Sequence, residues 1–247
     1  MTTAPPCDLS VVVPAYQEAG TIRHTLTTIA RYLDTLPWSW EILVVNDGSQ
    51  DATAAEAEAG AAVLGPQHIR VLHHPHNLGK GAAVRTGVLA SAGERILFCD
   101  ADGATPIEEL RKFLPALEHG ADLVVGSRRI AGAQIQRHQQ RLRQFCGRIY
   151  THLTNCLLTS NVSDITCGFK LFRRPAAQEI FRRGRVTGWS FDAELFYLAH
   201  ALGYRVVEVP VTWAHQPNTK VRVLRDAVTS FLELLRIRWR ALCGQYR

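Results

Sequence analysis

The chain has 247 residues, 47% of them apolar and 20% charged, with a formal charge of +6. That balance fits a folded globular protein and excludes a wholly disordered one. No run approaches the roughly 18–20 uninterrupted apolar residues of a membrane span, and Met1 to Cys7 lacks the basic and apolar regions of a secretory signal. Six scattered cysteines without a CxxC pair point to inert thiols in a reducing compartment rather than a zinc site.

In chain order, strand-like and helix-like patterns alternate. Ser10 to Val13 is an apolar run closed by Pro14, and Thr21 to Leu36 reads as a helix. Ile42 to Val45 is a second run, ending in Asn46-Asp47-Gly48, followed by an Ala- and Glu-rich helix over 52–62. Strand Ile69 to Leu72, helix Gly81 to Ala92, strand Ile96 to Cys99, helix Pro106 to Glu118 and strand Leu123 to Val125 continue the series. Short apolar strands alternating with helices predict βαβ units and a parallel sheet buried on both faces. From Leu123 to Ser163 there is no acid, while arginines recur from Arg128 to Arg148. A last strand over 205–213 contains Pro210, which suits an edge. The simplest organisation is one domain over 8–220 with a C-terminal amphipathic helix over 221–247, the latter part of the same domain or a membrane-surface contact.

Ligands of open parallel sheets sit beyond the carboxyl ends of the strands. Three of the four ends considered carry acids: Glu18 after the first, Asp47 after the second, and Asp100 and Asp102 after the fourth. Asp100 and Asp102 are the sharpest feature, because side chains two apart on an extended segment point the same way and can converge on one hard cation, Mg2+ or Mn2+. Asn77-Leu78-Gly79-Lys80-Gly81 lacks the earlier glycine and the Ser/Thr of a P-loop, and no GxGxxG follows the first strand. Lys80, near a helix start, remains a candidate for holding an anionic group.

Val11 to Glu18, Val44 to Thr53, Asn77 to Ala82 and Cys99 to Gly103 together resemble the family-2 inverting glycosyltransferases of GT-A fold. Asp164 to Phe172, Gly188 to Leu195 and Trp213 to Val221 narrow the resemblance to the polyprenyl-phosphate branch, which includes dolichyl-phosphate glucosyl- and mannosyltransferases. The resemblance covers nearly the whole chain with its motifs in order. It implies a nucleotide-sugar pocket of Pro14, Ala15, Tyr16 and Glu18, with Asp47 accepting from the base and Lys80 near the nucleotide. It further implies that Asp100, Ala101 and Asp102 frame the metal-diphosphate, Asp102 being the direct ligand, and that Asp192, Glu194, His215 and Lys220 line the sugar and acceptor side. The Asp100-Ala-Asp-Gly-Ala-Thr105 run resembles glucosyl-type members, making UDP-glucose the first donor and GDP-mannose the runner-up.

In that chemistry the acceptor phosphate attacks C1 from the face opposite the leaving diphosphate. A phosphate monoester is largely ionised at neutral pH, so Asp192 and Glu194 need not act as a general base and can orient substrate. The acceptor needs cationic clamps, Arg128 first, then Lys170, Arg141 and Arg222. In the tail, Leu224, Val228, Phe231, Leu235, Trp239 and Leu242 share a helical stripe, and six arginines stand against Asp226 and Glu233. That pattern suits either an anionic membrane surface, on its cytoplasmic face, or packing on the chain's own core. No nucleic-acid-binding motif accompanies the basic charge, and the oligomeric state is left open.

Overall fold

Strand β1 (Cys7–Ala15) runs parallel to both β2 (Trp40–Asn46) and β4 (Gly93–Cys99), and β2 runs parallel to β3 (Ile69–His73). The computed structural model describes residues 6–137, 141–158, 161–216 and 223–246. Its main sheet has seven strands in the order β3-β2-β1-β4-β7-β5-β8, with β5 (Leu123–Ser127) parallel to β8 (Val206–Pro210). The one strand of this sheet that sequence patterning passed over, β7 (Phe169–Arg173), is inserted between β4 and β5 and is antiparallel to both. Pro210 ends the edge strand β8, as its missing N–H requires. A second, two-stranded sheet pairs β6 (Gln134–Arg137) with β9 (Thr212–Ala214).

Alternation along the strands divides the core in two. Val11 and Val13 of β1 face one cluster with helices α1 (Ile22–Leu33), α2 (Thr53–Leu64) and α4 (Leu110–Glu118), whereas Val12 faces the other. That second cluster is covered by α3 (Lys80–Ala90), α6 (Arg174–Arg183), α7 (Phe191–Ala201) and part of α5 (Arg141–Leu158). The GT-A architecture implied by the motifs is therefore present: a mostly parallel sheet with helices on both faces.

The C-terminal helix α8 (Val223–Leu242) docks on the second cluster through Leu234 and Ile237, both fully buried. The stripe singled out from sequence is a different one. Phe231, Leu235, Trp239 and Leu242 are exposed, next to α5, whose Phe145 and Ile149 are exposed too. Core packing and an outward apolar face coexist on one helix because its apolar positions span more than one stripe. Among the described residues no helix is long and apolar enough to cross a membrane.

Helix α3 approaches β1 through Gly87, where an added Cβ would lie 2.4 Å from Val12 Cγ1 and 3.1 Å from Val45 Cγ2. Both neighbours are β-branched and locked in the sheet, so they cannot give way. Gly87→Val is expected to cost about 1–3 kcal/mol by overpacking, read as a lower urea midpoint at unchanged m-value.

Candidate active site

The polar cluster at the carboxyl end of β4 begins with Asp100, whose N–H donates to Gly168 O at 3.1 Å. A Cβ on residue 168 would stand 1.9 Å from Asp100 Oδ2, so only glycine lets the carboxylate occupy this position. Lys80, the first residue of α3, places Nζ 2.7 Å from Asp100 Oδ1. The same ammonium lies over the rings of Phe98 and Trp189, at 5.4 and 5.3 Å. Burial works against the Lys80 ammonium, yet Asp100, Asp192 and Asp102 together raise its pKa. The loop delivering Lys80 is rigid. Gly79 has φ +104° and lies against Thr187 O, where a Cβ would approach to 2.4 Å, and Ala82 N–H donates to that oxygen at 3.1 Å.

Asp102 lies two residues on. Its Oδ1 accepts from Ala104 N–H at 3.0 Å, while the Ala101 carbonyl between the two acids accepts from Thr25 Oγ1 at 2.7 Å. Burial, followed by the neighbouring Asp100 carboxylate, pushes the Asp102 carboxyl up to about 6, with Glu18 adding to the effect. Negative charge at this point is thus under-compensated by the protein. Two hard carboxylate oxygen donors of this kind fit Mg2+ or Mn2+. No third Asp, Glu, His or Cys joins them in a metal-holding group among the described residues, so water and phosphate oxygens would complete the shell, as is usual for Mg2+.

The first strand's loop borders the cluster. Pro14 and Ala15 end β1 opposite Val45 and Asn46. Tyr16 is exposed, and the Glu18 carboxylate accepts from Thr21 Oγ1 at 2.6 Å. Asp47 has a structural role as well. Its carboxylate accepts from Leu78 N–H (2.9 Å), Gly79 N–H (2.9 Å) and His74 Nδ1 (2.7 Å), with only 3% of the side chain exposed. With three of the roughly four acceptor positions of a carboxylate taken, it anchors the loop carrying Lys80.

Asp192 is brought into the cluster at the start of α7, where burial raises its pKa despite Lys170 and Lys80. Lys170 is not an acceptor clamp. It is fully buried in β7, donating to Asp192 Oδ1 at 2.8 Å and Cys167 O at 2.6 Å, with its charge committed to those partners. Glu194 turns away from the cluster: two positions apart on a helix is about 200°, so it faces nearly opposite to Asp192. It accepts from Arg185 N–H, Val186 N–H and the Tyr246 hydroxyl at 2.7, 2.8 and 2.5 Å, and is a scaffold residue.

Arg128 is likewise engaged within the fold. Its Nε and Nη2 grip Asp164 at 2.6 and 2.8 Å, Nη2 also reaches Thr166 Oγ1 at 2.9 Å, and the guanidinium lies 5.1 Å over Trp213. Burial would raise the Asp164 carboxyl, but Arg128 holds it down to about 2. The pair ties down the loop that brings Gly168 to Asp100, which is a positioning role. His215 lies in the same corner, its ring 6.0 Å from Trp213 and its N–H bonded to Arg137 O. Lys220 and Arg222 lie outside the described residues, as does the side chain of Arg141. Sequence reasoning gave no role to Trp189, which is 45% exposed beside Lys80, nor to Gly168; both sat inside recognised motifs, but only three-dimensional proximity identifies them.

Comparison with known proteins bears on the family and the fold. The model of the Glycosyl transferase family 2 matches residues 10–181. A dolichyl-phosphate beta-glucosyltransferase of Drosophila melanogaster is 34% identical over 259 residues, covering 99% of this chain and 78% of that protein. One of Trichomonas vaginalis is 42% identical over 223 residues, covering 86% of this chain and 65% of its own length, so the chain spans just under two thirds of that relative. Among solved structures, glucosyl-3-phosphoglycerate synthase from Mycobacterium tuberculosis, in complex with Mn2+, UDP-glucose and phosphoglyceric acid, superposes with a TM-score of 0.69 at 20% identity, covering 94% of this chain and 80% of that one. At that identity the likeness is one of fold.

Asp102 can bind a cation only as the carboxylate. With its carboxyl titrating near about 6, protons compete below that pH and not above it. Mn2+ affinity, measured by the free-ion EPR signal without nucleotide, is expected to fall about tenfold per pH unit below 6 and to level off above it. In Asp102→Asn that pH dependence is expected to vanish with the affinity.

Proposed function

Since the chain belongs to the Glycosyl transferase family 2, we propose that it is a metal-dependent inverting hexosyltransferase moving glucose from UDP-glucose to a polyprenyl phosphate. The observation carrying this reading is the meeting of Asp100, Asp102, Lys80 and Asp192 at the carboxyl end of β4. The donor and acceptor classes follow the dolichyl-phosphate beta-glucosyltransferases to which it is similar along 99% of its length in the Drosophila case.

A divalent cation bound there would neutralise the diphosphate as it leaves. Asp102, aided by Asp100, would hold it, and Mn2+ is favoured by the metal named with the mycobacterial synthase. Lys80 adds a second positive charge on the leaving-group side, fixed before reaction by its loop. The acceptor phosphate oxygen forms a bond to C1 as the bond from C1 to the diphosphate oxygen breaks, the nucleoside diphosphate departing with the electron pair. The acceptor arrives already ionised, so no proton must be removed, and Asp192 serves to orient the sugar or acceptor. Trp189, exposed at the mouth, offers an aromatic face to the ring.

The acceptor keeps its hydrocarbon in the bilayer, so the protein works at a membrane surface. We assign that contact to the exposed apolar residues of α8 and α5, flanked by the exposed Arg236 and Arg238. Anionic lipid complements those charges at about 1 kcal/mol per arginine. The cytoplasmic face is the side on which nucleotide sugars are available to such an enzyme.

Two measurements test this reading. Incubated with short polyprenyl phosphates and a panel of radiolabelled donors, the protein is expected to use UDP-glucose, and Asp102→Asn to lose about 10²–10³ in kcat while keeping its circular dichroism spectrum. A panel in which only GDP-mannose reacts would transfer the protein to the mannosyl branch. For the membrane contact, Leu235→Glu/Trp239→Glu is expected to abolish flotation with anionic liposomes while a short, water-soluble acceptor is still glucosylated. Undiminished flotation would remove α8 from the contact.

A further inference from the structure

A second concentration of positive charge lies away from the carboxylate cluster. A cleft of about 370 Å3 is lined by Arg85 of α3, Arg182 and Arg183 at the end of α6, Arg185 of the following loop, and Gln245 and Tyr246 beyond α8. Four guanidinium groups thus converge from separate parts of the chain. Among the described residues a single acid, Glu179, pairs with any of them, at 3.5 Å from Arg182 and 2.6 Å from Arg183.

The four are not equivalent. Arg183 is spent on structure, bonding Glu179 and the Tyr246 carbonyl, the latter at 2.8 Å. Arg85 uses Nε alone, on the Phe181 carbonyl at 2.8 Å, which fixes the guanidinium and leaves both terminal nitrogens for the cleft it lines. Arg185 is held by its backbone N–H on Glu194, at 2.7 Å, and its guanidinium bonds no other described residue. The floor beneath them is rigid, because buried Glu194 ties residues 185 and 186 to the Tyr246 hydroxyl.

Two guanidinium forks with unused donors, that of Arg85 fixed through its Nε and that of Arg185 carried on a held backbone, match the oxygens of a tetrahedral oxyanion, which accept pairwise from planar forks. We propose that this cleft is a second anion site that binds a phosphate group, separate from the donor site at Asp100 and Asp102. The phosphate comes either free in solution or as the headgroup of an anionic lipid. Trp239 and Leu242, 67% and 69% exposed, precede Gln245 and Tyr246 by one to two turns, so a headgroup could enter while its chains meet α8.

The test uses the full chain without donor or divalent metal, at ionic strength fixed with chloride so that screening is constant. One arm titrates inorganic pyrophosphate by calorimetry. The other measures co-sedimentation with phosphatidylcholine vesicles with and without phosphatidylglycerol. The variants are Arg85→Gln/Arg185→Gln and Arg185→Gln alone, the second guarding against a folding defect from loss of the Arg85 to Phe181 bond. The double variant is expected to weaken binding about tenfold or more, and the single one about threefold, while UDP-glucose binding with Mn2+ is unchanged. Loss in the pyrophosphate arm identifies a free phosphate as the source; loss confined to the phosphatidylglycerol arm identifies a lipid headgroup. If the wild-type chain binds neither probe, or both variants bind as it does, the site does not exist.

Discussion

The ion pair between Lys80 and Asp100 is the contact on which the site depends, and it exists only because residue 168 has no side chain. Around it the buried and half-buried charges form a chain: Lys170 to Asp192, Asp192 beside Lys80, Lys80 to Asp100, Asp100 beside Asp102. Two ammonium groups face three carboxylates, 2 − 3 = −1, so one negative charge is left unmatched. It surfaces at Asp102, whose carboxyl is pushed up to about 6. The charge that a hard cation would meet there is therefore a property of the whole chain of charges. Removing any one lysine would leave a buried carboxylate unpaired, which costs far more than the pair contributes.

The other acids that sequence placed near the site are consumed in building it. Asp47 gathers two backbone N–H groups and a histidine to hold the Lys80 loop. Asp164 takes the Arg128 fork and fixes the loop of Gly168. A buried carboxylate is tolerated when it is hydrogen-bonded, and here each one fixes a loop that borders the cluster. The expected clamps Arg128 and Lys170 are the mirror case, cations whose charge is already balanced within the fold.

Legibility from sequence follows the range of the interactions. Strands β1 to β5 were readable because their apolar runs reflect burial on both faces, and Asp100 and Asp102 because a period of two puts both on one side. Strand β7 was not, since Phe169-Lys-Leu-Phe-Arg173 carries a lysine that is fully buried only because Asp192, 22 residues on, neutralises it. No local pattern reports such a partner. The same limit applies to Arg128, where an arginine after a strand reads as a ligand clamp until Asp164, 36 residues later, is seen against it. Family resemblance transfers positions and not hydrogen-bond partners, so the contacts within each motif have to be read from the fold.

Helix α7 shows why those roles matter together. Its first turn carries Asp192 on the side of the carboxylate cluster and Glu194 on the side of Tyr246, about 200° apart. Lys170 holds the turn from one side and the Tyr246 hydroxyl from the other. Tyr246 itself is set by α8, which docks through Leu234 and Ile237 while turning its remaining apolar residues outward. Arg240 of α8 approaches the same Glu194, at 3.9 Å. The surface helix and the carboxylate cluster thus share a single helical turn as their common support. Displacing α8 would strip Glu194 Oε1 of the Tyr246 hydroxyl and of Arg240, and would loosen the turn that positions Asp192. Docking of this helix is accordingly part of the construction of the site and not an appendage to it.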